Sequence, residues 1–371
     1  MRILLAAPYG GISGGISRWT AHVKQYYLAL QQKNFRMEIL PMSRSTFVSI
    51  NSPIVYRLIT AAKDYSLILK KFRNILKEEH YDIIHLTSSG SLSLFKDVYM
   101  LRLAKAKGCK TIIHFHYGRI PDLFKNRNWE YHMLKKVIAL SDTVIVIDKL
   151  TYDVLQQAGY RNIVYLPNPL SPEIESIVEN NKSLKRDRHT LVFVGHVVKT
   201  KGIFELIEAC KEIHNIKLKL VGFITTKMKM DLKEFAGPGS SSWLEIKGEL
   251  DYENTIKEML TAGIFVLPTY TEGFPNVILE SMACGCPIVT TNVGAIPEML
   301  DIANGNRYGI CIPPKDVDRL RAALLKMLND KEYADACGDN AKIRVRNEYS
   351  MPIIWNKLVE CWMSVYSKKS K

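Results

Sequence analysis

The chain alternates short apolar runs with longer stretches in which apolar residues recur at helical spacing. In the first half, the apolar runs predict strands at Arg2–Ala7, Met37–Leu40, Ile83–Leu86, Thr111–His116, Thr143–Ile147 and Ile163–Leu166. The amphipathic stretches predict helices at Ile16–Gln32, Val55–Glu79, Leu92–Lys107, Tyr131–Leu140 and Lys149–Ala158. This alternation is typical of βαβ units around a mostly parallel sheet that is covered on both faces.

The second half repeats the alternation after a proline-rich segment. Residues 166–172, LPNPLSP, place three prolines within six residues, which neither a helix nor a central strand accommodates, so we expect a linker there. Strands are then predicted at Leu191–Gly195, Lys217–Val221, Trp243–Lys247, Ile264–Pro268, Pro287–Thr290 and Gly309–Ile312. Helices are predicted at Gly202–Ile213, Tyr252–Leu260, Pro275–Cys284, Ile296–Leu300, Asp316–Asn329 and Lys331–Tyr349.

The two halves together predict an α/β protein with two doubly wound domains in tandem. We expect residues 1–168 and 169–351 to form one domain each, and residues 352–371 to form a last amphipathic helix. Ligands of open parallel sheets bind beyond the carboxyl ends of the strands. Two such domains facing a central cleft would hold one ligand between them, and residues with chemical roles should directly follow strands.

Composition narrows the class of protein. The chain has 371 residues, of which 47% are hydrophobic and 24% charged, as in a folded globular protein. No apolar run reaches the roughly 18–20 residues that span a bilayer. The first apolar run ends at Pro8, which predicts a buried strand and not a signal peptide. Seven scattered cysteines indicate reduced thiols, so we expect a cytoplasmic protein.

Positive charge is concentrated in the first half. Residues 1–170 carry 24 Lys and Arg against 11 Asp and Glu, a net +13, whereas residues 171–371 carry 27 against 26, a net +1. The partner of the basic half could be nucleic acid, an anionic membrane surface or an acidic substrate, and general solubility is the alternative explanation. The sequence has no RNP, zinc-finger or helix-turn-helix motif, so we expect no nucleic acid partner.

The most informative motif runs from Tyr270 to Gly285, YTEGFPNVILESMACG. It places a glycine loop between a strand and a helix that would begin at Pro275, where free backbone N–H groups form an anion site. Glu280 lies in an otherwise apolar helical run, and a buried carboxylate needs a partner such as the vicinal hydroxyls of a ribose. Glu272 could face a second polar group of the same ligand. The alternative is that Glu272 is a solvated loop residue and Glu280 pairs with a lysine.

Two other glycine-containing loops follow predicted strands. In the Gly195–Gly202 loop, His196, Lys199 and Lys201 could neutralise a phosphate, although exposed loop lysines are also common. The Pro8–Arg18 loop, PYGGISGGISR, lets backbone amides approach a ligand closely. It lacks the G-x-G-x-x-G and P-loop patterns, so Rossmann-type dinucleotide binding is disfavoured.

Two histidines lie near the end of a predicted strand. Alternation places His114 and His116 on one face, where a metal pair would need a third ligand that is not evident nearby. We therefore expect one histidine to be buried in the sheet and the other, His116, to be available for chemistry. Asp316 and Asp318 form a D-x-D pattern, but they precede a predicted helix, which favours N-capping over metal binding.

Together these segments resemble the retaining glycosyltransferases of family 4, which have the GT-B fold. The motif that carries the resemblance is E-x7-E, from Glu272 to Glu280. Its companions are the glycine loop at Gly14-Gly15, the strand-end His116, the linker at Asn168 and the VGH…KG pattern at 195–202. The resemblance covers nearly the whole chain and is dense from about residue 190 to 315.

The resemblance implies a role for each motif. Glu280 would bind the ribose of a nucleotide-sugar donor, Lys201 would contact its diphosphate, and Glu272 and His116 would be catalytic residues beside the donor sugar. The other donor-binding residues would be Gly14, Gly15, Gly195, His196, Lys199, Gly248, Glu249, Leu250, Gly273, Phe274, Pro275 and Asn276. The family usually has an arginine at the position of His196, so Lys199 or a protonated His196 would supply that charge. The final helix would cross back to the first domain.

The implied function is retaining transfer of a hexose from a UDP- or GDP-sugar to a glycan or lipid-linked acceptor. Bacterial-type synthesis of a capsule or lipopolysaccharide is the expected setting. Fixed cations and helix N-terminal amides can stabilise the leaving diphosphate, so no metal or other cofactor is expected beyond the nucleotide-sugar co-substrate. A sugar-nucleotide epimerase of GT-B architecture is the alternative.

The basic first half also suggests where the protein works. The helix predicted at Val55–Glu79 carries Lys63, Lys70, Lys71, Arg73 and Lys77 between apolar residues, which suits an anionic membrane surface. Further along, Lys96, Arg102, Lys105, Lys107 and Lys110 add positive charge. We therefore expect peripheral attachment to the inner face of the membrane.

Overall fold

A computed structural model describes residues 1–10, 14–32, 34–43, 54–305 and 307–367. The chain divides into two compact units. The first comprises Met1–Pro169 together with Ile354–Lys371, and the second comprises Leu170–Ile353. Both are Rossmann-like, with a parallel sheet between helices. Among the described residues, each helix is too short or too polar to span a bilayer.

The first unit has a parallel sheet with the strand order β2-β1-β3-β4-β5-β6. Its strands are β1 (Arg2–Ala7), β2 (Arg36–Pro41), β3 (Ile83–Ser88), β4 (Lys110–Phe115), β5 (Thr143–Val146) and β6 (Ile163–Tyr165). Its helices are α1 (Gly15–Ala29), α2 (Ile54–Glu78), α3 (Ser93–Ala106), α4 (Ile120–Asn126), α5 (Trp129–Leu140) and α6 (Lys149–Gln157). Every residue of β3 is buried, as expected for a strand covered on both faces.

The second unit has a parallel sheet with the order β12-β11-β10-β7-β8-β9. Its strands are β7 (Asp187–Val194), β8 (Lys217–Val221), β9 (Leu244–Gly248), β10 (Ala262–Leu267), β11 (Ile288–Thr291) and β12 (Ile310–Ile312). Its helices are α7 (Ile174–Asn180), α8 (Ile203–Lys211), α9 (Thr226–Ala236), α10 (Tyr252–Thr261), α11 (Asn276–Ala283), α12 (Ile296–Met299), α13 (Val317–Asn329) and α14 (Lys331–Tyr349). The strand order matches the dinucleotide-fold topology, with β7 as its first strand.

The last helix, α15 (Met351–Ser367), supplies two indole rings to the core of the first unit. Trp355 and Trp362 are almost completely buried, and their ring centroids lie 5.8 Å apart. The Trp362 Nε1–H donates a hydrogen bond of 3.0 Å to Nδ1 of His85, which lies on β3. This helix is therefore built into the core of the first unit, far along the chain from the strands it covers.

The predicted alternation of strands and helices is confirmed, with three omissions. The sequence pattern does not predict α4, α7 or α9. Helices α4 and α7 have only seven residues each, too short for a periodic pattern, and α9 buries only Leu232 and Ala236. Several boundaries differ by one to four residues. At α11, for example, Pro275 is the N-cap and the helix begins at Asn276.

Candidate functional site

The loops that follow β7 and β10 meet at the point where the strand order of the second sheet reverses. Strands β7 and β10 are neighbours, yet the chain continues from β7 to β8 on one side and from β10 to β11 on the other. A crevice opens between such diverging connections, and ligands of this topology bind there. The Gly195–Gly202 loop and the Pro268–Asn276 segment border this crevice, so two of the predicted motifs lie side by side.

The first of these loops is held against the second by a glycine. Lys199–Lys201 form a 3-10 turn, and Gly202 follows with φ of +71° at the start of α8. A Cβ atom at Gly202 would collide with the carbonyl oxygen of Pro268. Only glycine permits both the left-handed backbone and this close approach.

Hydrogen bonds from Tyr270, in the loop after β10, also hold the two loops together. The backbone N–H of Tyr270 donates to the carbonyl oxygen of Thr200 at 2.9 Å. The Tyr270 hydroxyl donates to Oε1 of Glu205 on α8 at 2.5 Å. Burial, with the Glu205 hydrogen bond, raises the pKa of Tyr270 to about 12. Tyr270 therefore joins the loop after β10 to the helix after β7.

Lys201 and Glu272 form an ion pair in this crevice. The Lys201 ammonium contacts Oε1 of Glu272, and the two side chains are 25% and 14% exposed. The alternative in which Glu272 is a solvated loop residue is therefore wrong. The pair joins Lys201, which is predicted to bind the diphosphate, to Glu272, a predicted catalytic residue. The two residues are 71 positions apart in the chain.

Helix α11 starts directly beyond this ion pair. The helix begins at Asn276, so its amino end lies within four residues of Glu272 along the chain. Such a helix end carries positive partial charge and backbone N–H donors. Further along the helix, Glu280 is only 7% exposed and is followed by buried Ser281, Met282 and Ala283. A carboxylate in that setting requires polar partners.

A third loop, after β11, contacts the backbone of Glu272 and Gly273. The sequence motifs did not predict this contact. The backbone N–H of Ala295 donates to the carbonyl oxygen of Gly273 at 2.9 Å. Gly294 has φ of +56°, and a Cβ atom there would collide with the carbonyl oxygens of Glu272 and Gly273. The glycine in the sequence TNVGA was the one local indication of a close backbone approach. Which groups it approaches depends on the tertiary fold, so the contact could not be predicted from the sequence.

The remaining second-unit candidates lie along the same edge of the sheet. Gly195 follows β7, and the exposed His196 ring lies 6.0 Å from that of Phe223, which follows β8. Gly248 ends β9, and both Glu249 and Leu250 are exposed. Because β9 lies two strand spacings from β7, its end is about 10 Å from the end of β7.

The first unit holds the other candidates at the carboxyl edge of its own sheet. Gly14 is the exposed N-cap of α1, the helix that follows β1 along the chain, and Gly15 is the first residue of that helix. His116 directly follows β4. The indole of Trp19, on α1, lies edge-on to the ring of His116 with centroids 4.9 Å apart. Trp19 is 2% exposed and was not identified from the sequence.

Three histidine rings pack together beneath Trp19. The rings of His114 and His116 lie 4.0 Å apart, which confirms that both project from one face of β4. His85 lies 5.5 Å from His114. As expected, His114 is completely buried, while His116 is partly exposed as a residue.

This packing keeps the imidazoles neutral. Burial lowers the pKa of His85 to about 3, with a further contribution from His116. Burial also lowers the pKa of His116 to about 3, although a hydrogen bond with Asn168 acts to raise this pKa. Burial and the two neighbouring histidines hold the pKa of His114 well below its usual value. Since His85 Nδ1 accepts from Trp362, its neutral form carries the proton on Nε2.

The predicted D-x-D pattern has a structural role at Asp316. The Asp316 side chain accepts a hydrogen bond of 2.9 Å from the backbone N–H of Arg319, so it caps α13 as predicted. Within the described ranges, no group of three or more His, Cys, Asp or Glu side chains has a geometry that could hold a metal ion.

Sequence comparison connects both units to known enzymes. The profile of the family described as Glycosyltransferase Family 4 matches residues 20–174, and that of Glycosyl transferases group 1 matches residues 176–344. The chain belongs to the group 1 glycosyltransferases of family 4. The predicted resemblance of the chain to this family is thereby confirmed.

One sequence relative and two solved structures illustrate the similarity of this glycosyltransferase. The capsular polysaccharide biosynthesis glycosyltransferase CapM of Staphylococcus aureus is 31% identical over 209 residues, about half the length (52%) of each chain. Sucrose-phosphate synthase from Thermosynechococcus elongatus superposes with a TM-score of 0.76 at 18% identity, covering 99% of both chains. Anabaena HepE in complex with UDP gives a TM-score of 0.70 at 17% identity, covering 98% of this chain and 100% of that one. The fold is GT-B.

Proposed function

We propose that this glycosyltransferase transfers a hexose, with retention, from a UDP- or GDP-sugar to a glycan or lipid-linked acceptor in surface polysaccharide synthesis. The observation that carries the proposal is the Lys201–Glu272 pair at the start of α11, in the crevice between the loops after β7 and β10. Two similar proteins support the substrate classes: CapM is a glycosyltransferase of capsular polysaccharide biosynthesis, and HepE forms a complex with UDP.

The crevice has the chemistry that a nucleoside diphosphate requires. Lys201 and the N–H groups of Gly273 and Phe274 would bind the diphosphate, and Glu280 would accept hydrogen bonds from the ribose hydroxyls. The base would lie toward Gly248–Leu250, because the end of β9 is about 10 Å from that of β7. Gly15 and His116, in the first unit, would contribute to the diphosphate and the donor sugar respectively.

The proposed mechanism depends on stabilising the leaving group. Cleavage of the sugar–phosphate bond places growing negative charge on the diphosphate, and a fixed ammonium with helix N–H donors lowers that barrier. We propose same-face attack by the acceptor hydroxyl, whose proton passes to the departing phosphate oxygen. The neutral imidazole of His116 would then act as a hydrogen-bonding group beside the donor sugar, and no protein nucleophile or other cofactor would be needed.

Replacement of Glu280 tests the donor site. Thermal shifts with UDP and GDP should identify the nucleotide, since a ligand at 100 times its Kd stabilises the folded state by about 2.7 kcal/mol. We expect Glu280→Gln to weaken binding by about 10- to 100-fold, because a charge-assisted hydrogen bond contributes about 1.5–3 kcal/mol. Glu253→Gln, at an exposed position on α10 of the same unit, is the control and should bind normally. Equal shifts for the two variants would contradict the ribose assignment.

Product analysis separates transfer from epimerisation. A glycosyltransferase releases nucleoside diphosphate in an acceptor-dependent manner, whereas an epimerase converts the donor without any acceptor. We expect release to increase when acceptor is added.

The outward face of α2 supports the further proposal that the first unit docks on an anionic membrane. Tyr56, Ile59 and Leu67 are 50–63% exposed, and Lys63 and Lys70 lie on the same surface. These positions recur at helical spacing, so they form one stripe of apolar and basic side chains. Other apolar residues of this helix, Ile68, Phe72 and Leu76, belong to the core.

One basic residue does not contribute to this surface. Lys96, which the sequence suggests as part of the basic region, is 6% exposed and pairs with Asp97 at 2.5 Å. The basic surface is therefore carried by α2 and by the lysines and arginines that remain exposed around it.

Vesicle binding tests the membrane proposal. We expect the chain to sediment with vesicles that contain phosphatidylglycerol but not with pure phosphatidylcholine, and high salt to weaken binding because it screens surface charge. The double variant Ile59→Ser/Leu67→Ser should bind at least tenfold more weakly, since each buried apolar side chain contributes about 1.5–3 kcal/mol. Leu150→Ser, at a 53% exposed position on α6, is the control. Equal binding to vesicles with and without phosphatidylglycerol would contradict the proposal.

A further inference from the structure

Two aromatic rings are stacked on the surface of the first unit. Phe95, in the first turn of α3, and Trp129, the first residue of α5, are 52% and 48% exposed. Their ring centroids lie 5.8 Å apart and their planes differ by 17°. We refer to this pair as the aromatic shelf. A stacked pair of rings that is half exposed to solvent offers a flat outer ring face on which a ligand can stack.

A buried carboxylate fixes the shelf to the loops beside it. Glu130, next to Trp129, is 5% exposed. Its Oε1 accepts hydrogen bonds from the backbone N–H of Ser91 at 2.7 Å and from Nη2 of Arg119 at 3.1 Å. One side chain thus joins the loop after β3, the segment after β4 and the start of α5. The shelf is therefore a rigid feature of the carboxyl edge of the sheet.

The loop after β3 is held in an unusual conformation. Gly90 and Ser91 have φ of +72° and +55°, and a Cβ atom at Gly90 would collide with the ring of Tyr117. A serine in the left-handed region is uncommon, and such strain is typical of functional loops. The Tyr117 hydroxyl is buried beneath this loop with no hydrogen-bond partner in the described part of the chain.

The shelf lies close to the proposed reaction centre. Arg119 is three residues beyond His116, so their Cα atoms are at most about 11 Å apart. The Arg119 side chain is 52% exposed. Its guanidinium lies 5.8 Å from the centroid of the Tyr117 ring and donates a hydrogen bond to Glu130, the neighbour of Trp129. Arg119 therefore connects the shelf, through Glu130, to the segment that begins at His116, along which an acceptor glycan could extend.

We propose that Phe95, Trp129 and Arg119 form a subsite for a pyranose ring of the acceptor glycan, one or two units from the sugar that receives the hexose. The flat apolar face of the pyranose would stack on the shelf, while the exposed N–H groups of Arg119 would donate to its hydroxyls. This inference rests on the proposed function. It commits to a sugar and not to a bilayer, because the shelf is rigid and pairs flat rings with a hydrogen-bonding guanidinium.

Substitutions at Trp129 separate stacking from general apolar contact. The full chain is applied to an array of bacterial surface oligosaccharides, and the variants Trp129→Phe and Trp129→Leu are compared on the glycans that the unmodified chain binds. We expect Trp129→Phe to retain binding within about threefold and Trp129→Leu to lose about tenfold, because leucine keeps apolar area but has no flat ring. Leu150→Ala, exposed on α6 of the same unit, should bind normally. All variants should keep the melting temperature of the unmodified chain.

Two outcomes would overturn the subsite. Equal glycan binding by Trp129→Leu and Trp129→Phe would do so, as would the absence of any bound glycan on the array. A loss of phosphatidylglycerol-vesicle binding by Trp129→Leu with glycan binding unchanged would assign the shelf to a bilayer instead. Thermal shifts with UDP and GDP on the same samples show which inference fails, because a normal nucleotide shift leaves the proposed function intact.

Discussion

Replacing Lys201 with alanine is expected to lower the turnover of sugar transfer by about 10²–10³-fold at saturating donor. This is the size of effect seen when one fixed donor to a developing negative charge is removed. Lys201 is the cation that contacts Glu272 at the start of α11, and its side chain is held there by the 3-10 turn before Gly202. The substitution also leaves the Glu272 carboxylate, 14% exposed, without its partner.

Lys233→Ala is the control for this prediction. Lys233 lies on α9 of the same unit and is exposed. Since its charge is screened by water, we expect a change in turnover of less than about fivefold. The measurement is kcat with the nucleotide-sugar that gives the largest thermal shift. A Lys201→Ala enzyme as active as Lys233→Ala would show that Lys201 does not stabilise the leaving diphosphate.

The second large effect is expected in the acid stability of the first unit. His85 and His114 are completely buried, and burial depresses the pKa of both in the folded state, that of His85 to about 3. In the unfolded chain both regain a pKa near 6.5, so that state binds more protons below pH 6.5. The free energy of unfolding therefore falls as pH falls from about 6.5 toward 3. Two such histidines give a slope of about 3 kcal/mol per pH unit at pH 5.

Substitution of His114 isolates its share of this slope. Both of its ring nitrogens are buried without a hydrogen-bond partner in the described ranges, so leucine can replace the ring without leaving a polar atom unpaired. We expect His114→Leu to fold at pH 7.5 and to reduce the slope by about 1.4 kcal/mol per pH unit. His80→Gln, at an exposed position, should leave the slope unchanged.

Tryptophan fluorescence during urea unfolding at pH 5.0 to 7.5 provides the measurement. Trp19, Trp129, Trp355 and Trp362 belong to the first unit, so the signal reports mainly on that unit. The two units need not unfold together, and the transition of each should be fitted separately. A slope that is the same for His114→Leu and the unmodified chain would mean that the buried imidazoles do not control acid stability.

The alternation of strands and helices could be predicted because each element carries its own periodicity. Lys217–Val221 and Lys331–Tyr349 match their predicted bounds. The placement of His114 and His116 on one face of the sheet also followed from strand alternation alone. Short or polar elements such as α4 and α9 could not be predicted, because their sequences contain too few apolar positions to define a face.

Contacts between segments that are distant along the chain could not be predicted from the sequence. Predicting the Lys201–Glu272 pair requires the knowledge that β7 and β10 are neighbours, which depends on the strand order and not on either loop. The packing of Trp19 on the histidines and the hydrogen bond from Trp362 to His85 join residues up to 277 positions apart. Gly294 illustrates the same point, since its role depends on the carbonyl groups that it approaches.

The most direct test of the account is a crystal structure of the chain with bound UDP or GDP. We expect the diphosphate at the start of α11 with Lys201 Nζ within hydrogen-bonding distance, and the ribose hydroxyls on the carboxylate of Glu280. A nucleotide bound away from the loops that follow β7 and β10, with Lys201 and Glu280 making no contact to it, would contradict the proposed donor site.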